Sequence, residues 1–226
     1  MKITFSVFLF FASIFMLFSI GHYGGDGYED YLTAESIALN HDLSIDSERN
    51  DIDELNYKKN VGIKGRLGRT YSSRGGIGVP FILSLFYYLG HIVSRFFVNV
   101  PHDFITMFFI SFSNPVISAA NCLLIFLISR NILFSTRISF ALAVIYGFTT
   151  MAPVYARTGF AEPALTLFML LSAYFLIKYK NASKRKYLVS AAIMIACMVS
   201  ARASAIIFIP SFLFYTVWIL SEKKNK

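Results

Sequence analysis

Apolar residues in this chain gather into long runs instead of recurring at amphipathic spacing. The runs cover residues 3–20, 104–129, 138–155, 164–177 and 187–220. A helix needs roughly 18 apolar residues to cross a bilayer, so the pattern predicts membrane-spanning helices. The last run is about twice that length and carries Arg202 near its middle. A charge at the bilayer centre costs several kcal/mol, so two helices meeting at Arg202 are expected there. A further apolar stretch, 79–100, is long enough to span but is interrupted by Gly90, His91 and Arg95.

Charge decides how to place that stretch. If it does not cross and the N-terminus is cytoplasmic, the inner side holds Lys2, Arg130, Arg137, Lys178, Lys180, Lys184, Arg185, Lys186, Lys223, Lys224 and Lys226, leaving Arg157 and Arg202 in short outer loops. That bias follows the positive-inside rule. If it does cross, the cluster from Lys178 to Lys186 turns outward. The reading is therefore an all-α integral membrane protein with about six transmembrane helices. Its segments are an N-terminal signal-anchor helix over 1–21, a large extracytoplasmic loop over 22–103 with interfacial helices near 27–40 and 79–100, and a five-helix bundle with a basic cytoplasmic tail over 104–226.

Composition agrees: 56% hydrophobic residues, 24 Phe and a mean hydropathy of +0.58 exclude an ordinary soluble domain. The net charge of +8 is mostly cytoplasmic anchoring and needs no nucleic acid to explain it. Cys122 and Cys197 both fall inside spans, so neither a disulfide framework nor a cysteine-based zinc site is indicated. The segment after the first run, "FSIGHYGGDG", offers no small-residue cleavage site, which favours an uncleaved anchor over a removed signal peptide.

Candidate chemistry concentrates in the first loop. Ten of the 13 carboxylates lie between Asp26 and Glu54, and Lys58, Lys59, Lys64, Arg66, Arg69 and Arg74 follow. An acidic half beside a basic half suits a site handling an anion next to a base, and equally a solvated loop with internal ion pairs. Tyr28, Tyr31, Leu32 and Leu39 share one helical face, which predicts a short amphipathic helix on the membrane surface. Asp26 stands at its start, three residues before Glu29 in a capping-box-like arrangement, and a capping carboxylate held in place can also serve as a base.

A second polar site is "YARTGFAEPALTL", where Glu162 is the only acidic residue between Asp103 and Glu222 and Pro163 suits the first turn of a helix. Glu162 there either favours the helix dipole or acts chemically. Arg202 joins the same face as an anion binder or a partner for Glu162. Asp51 and Asp53 form a D-x-D, read as a chance match in so acidic a segment. His22, His41, His91 and His102 show no metal-ligand spacing.

The segments "GDGYEDYLTAESIALNHDLSID", "YSSRGGIGVPFILSLFYYLG", "RTGFAEPALTLFMLLSAYFL" and "SARASAIIFIPSFLFY" resemble, in that order, the GT-C superfamily of polytopic glycosyltransferases. The likeness is to bacterial members related to the protein O-mannosyltransferases and the lipid A aminoarabinose transferases. The resemblance implies transfer of a sugar from a polyprenyl-phosphate donor to a lipid, polysaccharide or protein acceptor at the outer face of the plasma (inner) membrane, most simply with inversion. It implies catalytic roles for Asp26 and Glu162 and substrate-binding roles for Arg74, Arg202, Tyr71 and Arg157. No cofactor is indicated, with a divalent metal left open; membrane lipids are expected partners, nucleic acid is not.

Two features depart from the family pattern. "SRGGIG" replaces the proline pair that many relatives carry after the tyrosine, and relatives usually continue beyond the position of "SEKKNK". A compact member, a truncated product, or one half of a pair with a second subunit completing the fold would each fit. The competing readings are an inactive or incomplete relative and a transporter or flippase component. For the latter, Asn114-Pro115 with Ser111, Ser113, Ser118 and Asn121 is the best feature, although such residues more often serve helix packing.

Overall fold

The apolar runs all become helical. The computed structural model describes residues 2–19, 27–45, 62–65, 68–72 and 76–224; Asp26, Arg74 and the Asp51/Asp53 pair lie outside them. The helices are α1 (Lys2–Leu17), α2 (Tyr28–Asn40), α3 (Gly78–Ser94), α4 (His102–Ser111), α5 (Ser113–Asn131), α6 (Thr136–Thr149), α7 (Ala152–Ala156), α8 (Glu162–Ala182), α9 (Arg185–Ala201) and α10 (Ile209–Lys224). Among the described residues, His102–Asn131 and Ala203–Glu222 are long and apolar enough to cross a membrane.

Three expectations are refined by local chemistry. The run 138–155 is two helices, because Thr150 is extended between α6 and α7. The Thr149 and Thr150 hydroxyls donate back to the carbonyls of Ile145 and Tyr146 at 2.6 and 2.7 Å, and Pro153 brings no backbone donor to continue the ladder. The run 104–129 breaks at Phe112, so Pro115 occupies the first turn of α5, where its missing N–H is harmless. The run 187–220 divides at Arg202 as expected: Arg202 is extended (φ −156, ψ 120) between α9 and a 3-10 segment, Ala203–Phe208, that leads into α10.

Helix α5 is the hub, packing against α1, α6, α7 and α8. Phe11 and Phe15 of α1 meet Ala119, Cys122 and Phe126 of α5 in one core. A second core joins α2, α3, α5 and the near ends of α8 and α9 through Tyr31, Leu83, Tyr87, Ile117, Ala164 and Ala201. At the far ends, Lys180 of α8 pairs with Glu222 of α10 at 3.3 Å and covers the Trp218 ring. By contrast, α10 exposes Leu213, Phe214, Val217, Trp218 and Leu220. A helix apolar on its outward side is what lipid contact requires.

The first loop forms α2 and a small sheet. β1 (Ser44–Ile45) and β2 (Ile63–Lys64) flank β3 (Thr70–Tyr71), with Ser44 and Ile63 both opposite Tyr71. Asp42 braces the sheet by accepting from Ser44 Oγ at 2.8 Å and Arg69 Nη1 at 2.8 Å. The Ser44 hydroxyl, the Leu43 N–H and the Arg69 charge hold its carboxyl below the usual range.

Helix α2 begins as expected, but it is buried on more than its apolar face: Asp30, Thr33 and Ser36 are covered along with Tyr31 and Leu32. Its N-cap is Gly27, without a side-chain cap. The Asp26 side of the expected capping-box arrangement lies outside the described residues, and Glu29 has a further role. Its carboxylate reaches across to accept from Ser72 Oγ at 3.0 Å and Gly62 N at 3.3 Å, tying the helix to the sheet.

Helix α3 lies between α2 and α4, and polar side chains set this packing. Tyr87 donates to Glu35 Oε1 at 2.6 Å; Tyr31 bonds Thr106 Oγ1 at 3.0 Å. Arg95 Nη2 donates to His91 Nε2 at 3.1 Å, which leaves the His91 Nδ1 hydrogen to bond His102 Nε2 at 2.9 Å and the His102 Nδ1 hydrogen to face Asp103 at 3.4 Å. Gly90 permits the close approach of α4, since a Cβ there would sit 2.9 Å from Thr106 Cα.

Two outcomes follow from this interface. Gly90→Val forces α3 and α4 apart and should cost about 1–3 kcal/mol, read as a fall in the thermal midpoint of the detergent-solubilised protein. The His91 pKa is lowered from 6.5 by burial and by the neighbouring His102 and Arg95 charges. Below pH 6.5 the unfolded chain therefore takes up a proton that the folded one resists. Stability should be unaffected above that pH and fall below it, with the fall reduced in His91→Gln.

Candidate functional site

The loop between α7 and α8 is held from behind by α5. Asn114, 3% exposed, donates through Nδ2 to the carbonyls of Thr158 and Phe160. Two turns along α5, Asn121, 1% exposed, donates to the carbonyl of Pro163 at 3.0 Å. These carbonyls bracket Glu162. Pro163 sits in the first turn of α8, so Glu162 is fixed at the helix's positive end. Asn114 and Asn121, the residues that looked most transporter-like in sequence, are thus the supports of the acidic loop.

Glu162 faces the break after α9. Arg202 Nη1 pairs with Glu162 Oε1, while Oε2 is buried with no hydrogen-bond partner among the described residues. The extended backbone at Arg202 turns its side chain toward Glu162 and away from the continuing apolar helix. The Arg202 side chain is half exposed, at 51%.

The third wall comes from the first loop. A Cβ on Gly76 would lie 2.6 Å from the Ala201 carbonyl oxygen, and one on Gly78 would lie 2.8 Å from Ala201 N. Only glycine lets the start of α3 and the residues just before it lie flat on the end of α9. Asp30 of α2 completes the enclosure, and a cavity of about 280 Å³ is lined by Asp30, Gly76, Phe160, Ala161, Glu162, Ala201 and Arg202. Among the described residues no group of three or more His, Cys, Asp and Glu side chains could hold a metal.

Of the residues singled out from sequence, Glu162 and Arg202 meet here. Asp26 and Arg74 lie outside the described residues; in sequence they precede Asp30 and Gly76 of the cavity wall by four and two positions. Tyr71 is in β3 with its ring over Gly65, and Arg157 caps α7 at a separate groove with Phe15, Phe18, Phe148, Pro153, Val154 and Thr158. Neither lines the cavity. Asp30 was not distinguished from the other carboxylates of its segment. Its signal, a position on the same helical side as the buried Ala34, is visible only once burial is known.

A buried carboxylate oxygen beside a guanidinium, in a cavity where the ends of several helices meet, suits group transfer between a phosphate-bearing and a hydroxyl-bearing partner. The family comparison agrees. Residues 77–226 match the model of the dolichyl-phosphate-mannose-protein mannosyltransferases, and the chain belongs to that family. It is accordingly a membrane glycosyltransferase that uses a polyprenyl-phosphate-linked sugar donor. No curated protein and no solved structure matches the chain. The matched region includes Arg157, Glu162 and Arg202 and starts just beyond Arg74.

The clamp is directly testable. Asn114→Ala strips donors from buried carbonyls and should cost about 1–3 kcal/mol. Asn121→Ala should cost a comparable amount, seen as lower thermal midpoints and as faster protease cutting within 157–161.

Proposed function

We propose that the cavity between Glu162, Arg202 and Asp30 is where a sugar leaves its polyprenyl phosphate. The observation carrying this reading is the Glu162–Arg202 pair, with one carboxylate oxygen still lacking a donor among the described residues. Arg202, with Arg74, meets the phosphate charge; Asp26 is the base, and Glu162 Oε2 accepts a hydrogen bond from an incoming hydroxyl. The acceptor oxygen forms a bond to the anomeric carbon as the carbon–oxygen bond to phosphate breaks. The phosphate keeps that electron pair, and the acceptor proton passes to Asp26. Attack from the face opposite the phosphate inverts the anomeric centre. Tyr71 keeps its assigned substrate contact only through the sheet that leads to Arg74.

A groove of about 390 Å³ beyond the Gly76–Ala201 contact, lined by Ile37, Leu43, Ile77, Phe81, Phe168 and Cys197 among others, suits the isoprenoid tail. Six crossing helices with the N-terminus inside place the cavity on the outer face. Helix α8 supports this orientation: Glu162 is at one end and Lys178 and Lys180 at the other, with its 21 residues covering about 30 Å, the thickness of a hydrocarbon core. A plasma (inner) membrane location is what the resemblance to bacterial members supports.

Native mass spectrometry of the purified protein tests the donor site. Wild type should retain polyprenyl phosphate, and Arg202→Ala and Arg74→Ala should lose it; a folded wild type that never takes it up would sink the reading. With mannosyl polyprenyl phosphate as probe, Asp26→Asn should slow sugar release about 100-fold or more, the usual worth of a positioned base. If Asp30→Asn has that effect and Asp26→Asn does not, the base is Asp30.

A further inference from the structure

Arg157 occupies a setting unlike that of Arg202. Its side chain is exposed and has no hydrogen-bond or ion-pair partner among the described residues. It stands with Thr158 at the rim of a groove of about 370 Å³ whose other walls are Phe15 and Phe18 from the end of α1 and Phe148, Pro153 and Val154 from α6 and α7. This groove shares no residue with the one beside Phe81 and Phe168. It is also linked to the reaction centre by a rigid connection. Arg157 and Glu162 are five residues apart, so their backbones are separated by at most about 18 Å. The intervening loop is the one that Asn114 holds.

From this we infer that the Arg157 groove is a second lipid site, taking a membrane lipid with an anionic headgroup that serves as the acceptor. The inference rests on the donor assignment made above. Charge complementarity selects the occupant: one unpaired guanidinium beside an apolar trough fits a single anionic head carried on acyl chains. A polypeptide acceptor fits poorly, because an extended backbone needs hydrogen-bonding partners along its length and, among the described residues, the lining offers only Arg157 and Thr158 as polar side chains. Two lipids then approach the cavity from different grooves, the donor past Gly78 and the acceptor past Arg157. The headgroup hydroxyl of the second is delivered toward Glu162 along the clamped loop.

The test uses the full chain in detergent, titrated with phosphatidylglycerol or phosphatidylcholine, with and without polyprenyl phosphate, and read by native mass spectrometry. Wild type should hold one phosphatidylglycerol together with one polyprenyl phosphate. Arg157→Gln should weaken phosphatidylglycerol about tenfold or more, the scale of a lost charge-assisted bond, and leave polyprenyl phosphate in place. Val154→Trp, which fills the groove from an exposed position, should do the same without removing charge. Equal binding of phosphatidylcholine, unchanged by either variant, would make the groove ordinary bilayer contact and overturn the inference. One-for-one displacement of phosphatidylglycerol by polyprenyl phosphate would overturn it by assigning the groove to the donor. So would a serine-rich peptide whose binding, unlike that of phosphatidylglycerol, is lost in Arg157→Gln. If wild type binds phosphatidylglycerol through Arg157 but never polyprenyl phosphate, the donor assignment fails and the lipid site stands.

Discussion

Backbone carbonyls left between two helix ends near a membrane have little water to turn to, and here the α7–α8 connection meets that constraint with the amides of Asn114 and Asn121. Everything at the candidate site hangs on this clamp. It sets where Pro163 starts α8, and so where Glu162 stands. Glu162 in turn gives Arg202 its partner, and the pair makes an ionised break between α9 and α10 tolerable at the edge of an apolar bundle. The amides are nearly inaccessible, so the support belongs to the core of the protein while the carboxylate it aims belongs to the cavity.

The outer layer is attached to this frame by contact instead of charge. Gly76 and Gly78 bring the start of α3 onto the last turn of α9. Tyr31, Tyr87 and Gly90 lock α2 and α4 against α3. The result is a cavity lined on one side by the bundle and on the other by Asp30 and Gly76 of the first loop.

Glycosyl transfer from a lipid phosphate calls for fixed positive charge where the leaving group departs and a carboxylate where the acceptor arrives. The family assignment establishes the general chemistry. The geometry adds a division of labour between arginines: Arg202 is engaged by a carboxylate inside the cavity, and Arg157 faces an apolar groove with no such partner among the described residues. Two arginines 45 residues apart in the chain thus stand in different chemical settings.

The sequence alone was enough for the membrane class, for which stretches are helical, for the break at Arg202 and for the start of α8 at Glu162-Pro163. These depend on features encoded over one or two turns: apolar run length, the cost of a charge in lipid, and the fixed geometry of proline. The division of 138–155 at Thr150 is also local, but it depends on hydroxyls choosing backbone acceptors, which an apolar run does not reveal. Only the tertiary structure decided that Asn114 and Asn121 support a loop more than 40 residues away, that Glu29 braces a sheet, that Asp30 is buried, and that His91 meets His102. Each is a pairing between elements distant in the chain. A polar side chain carries the capacity to bond but not the address of its partner, and packing of the helices supplies that address.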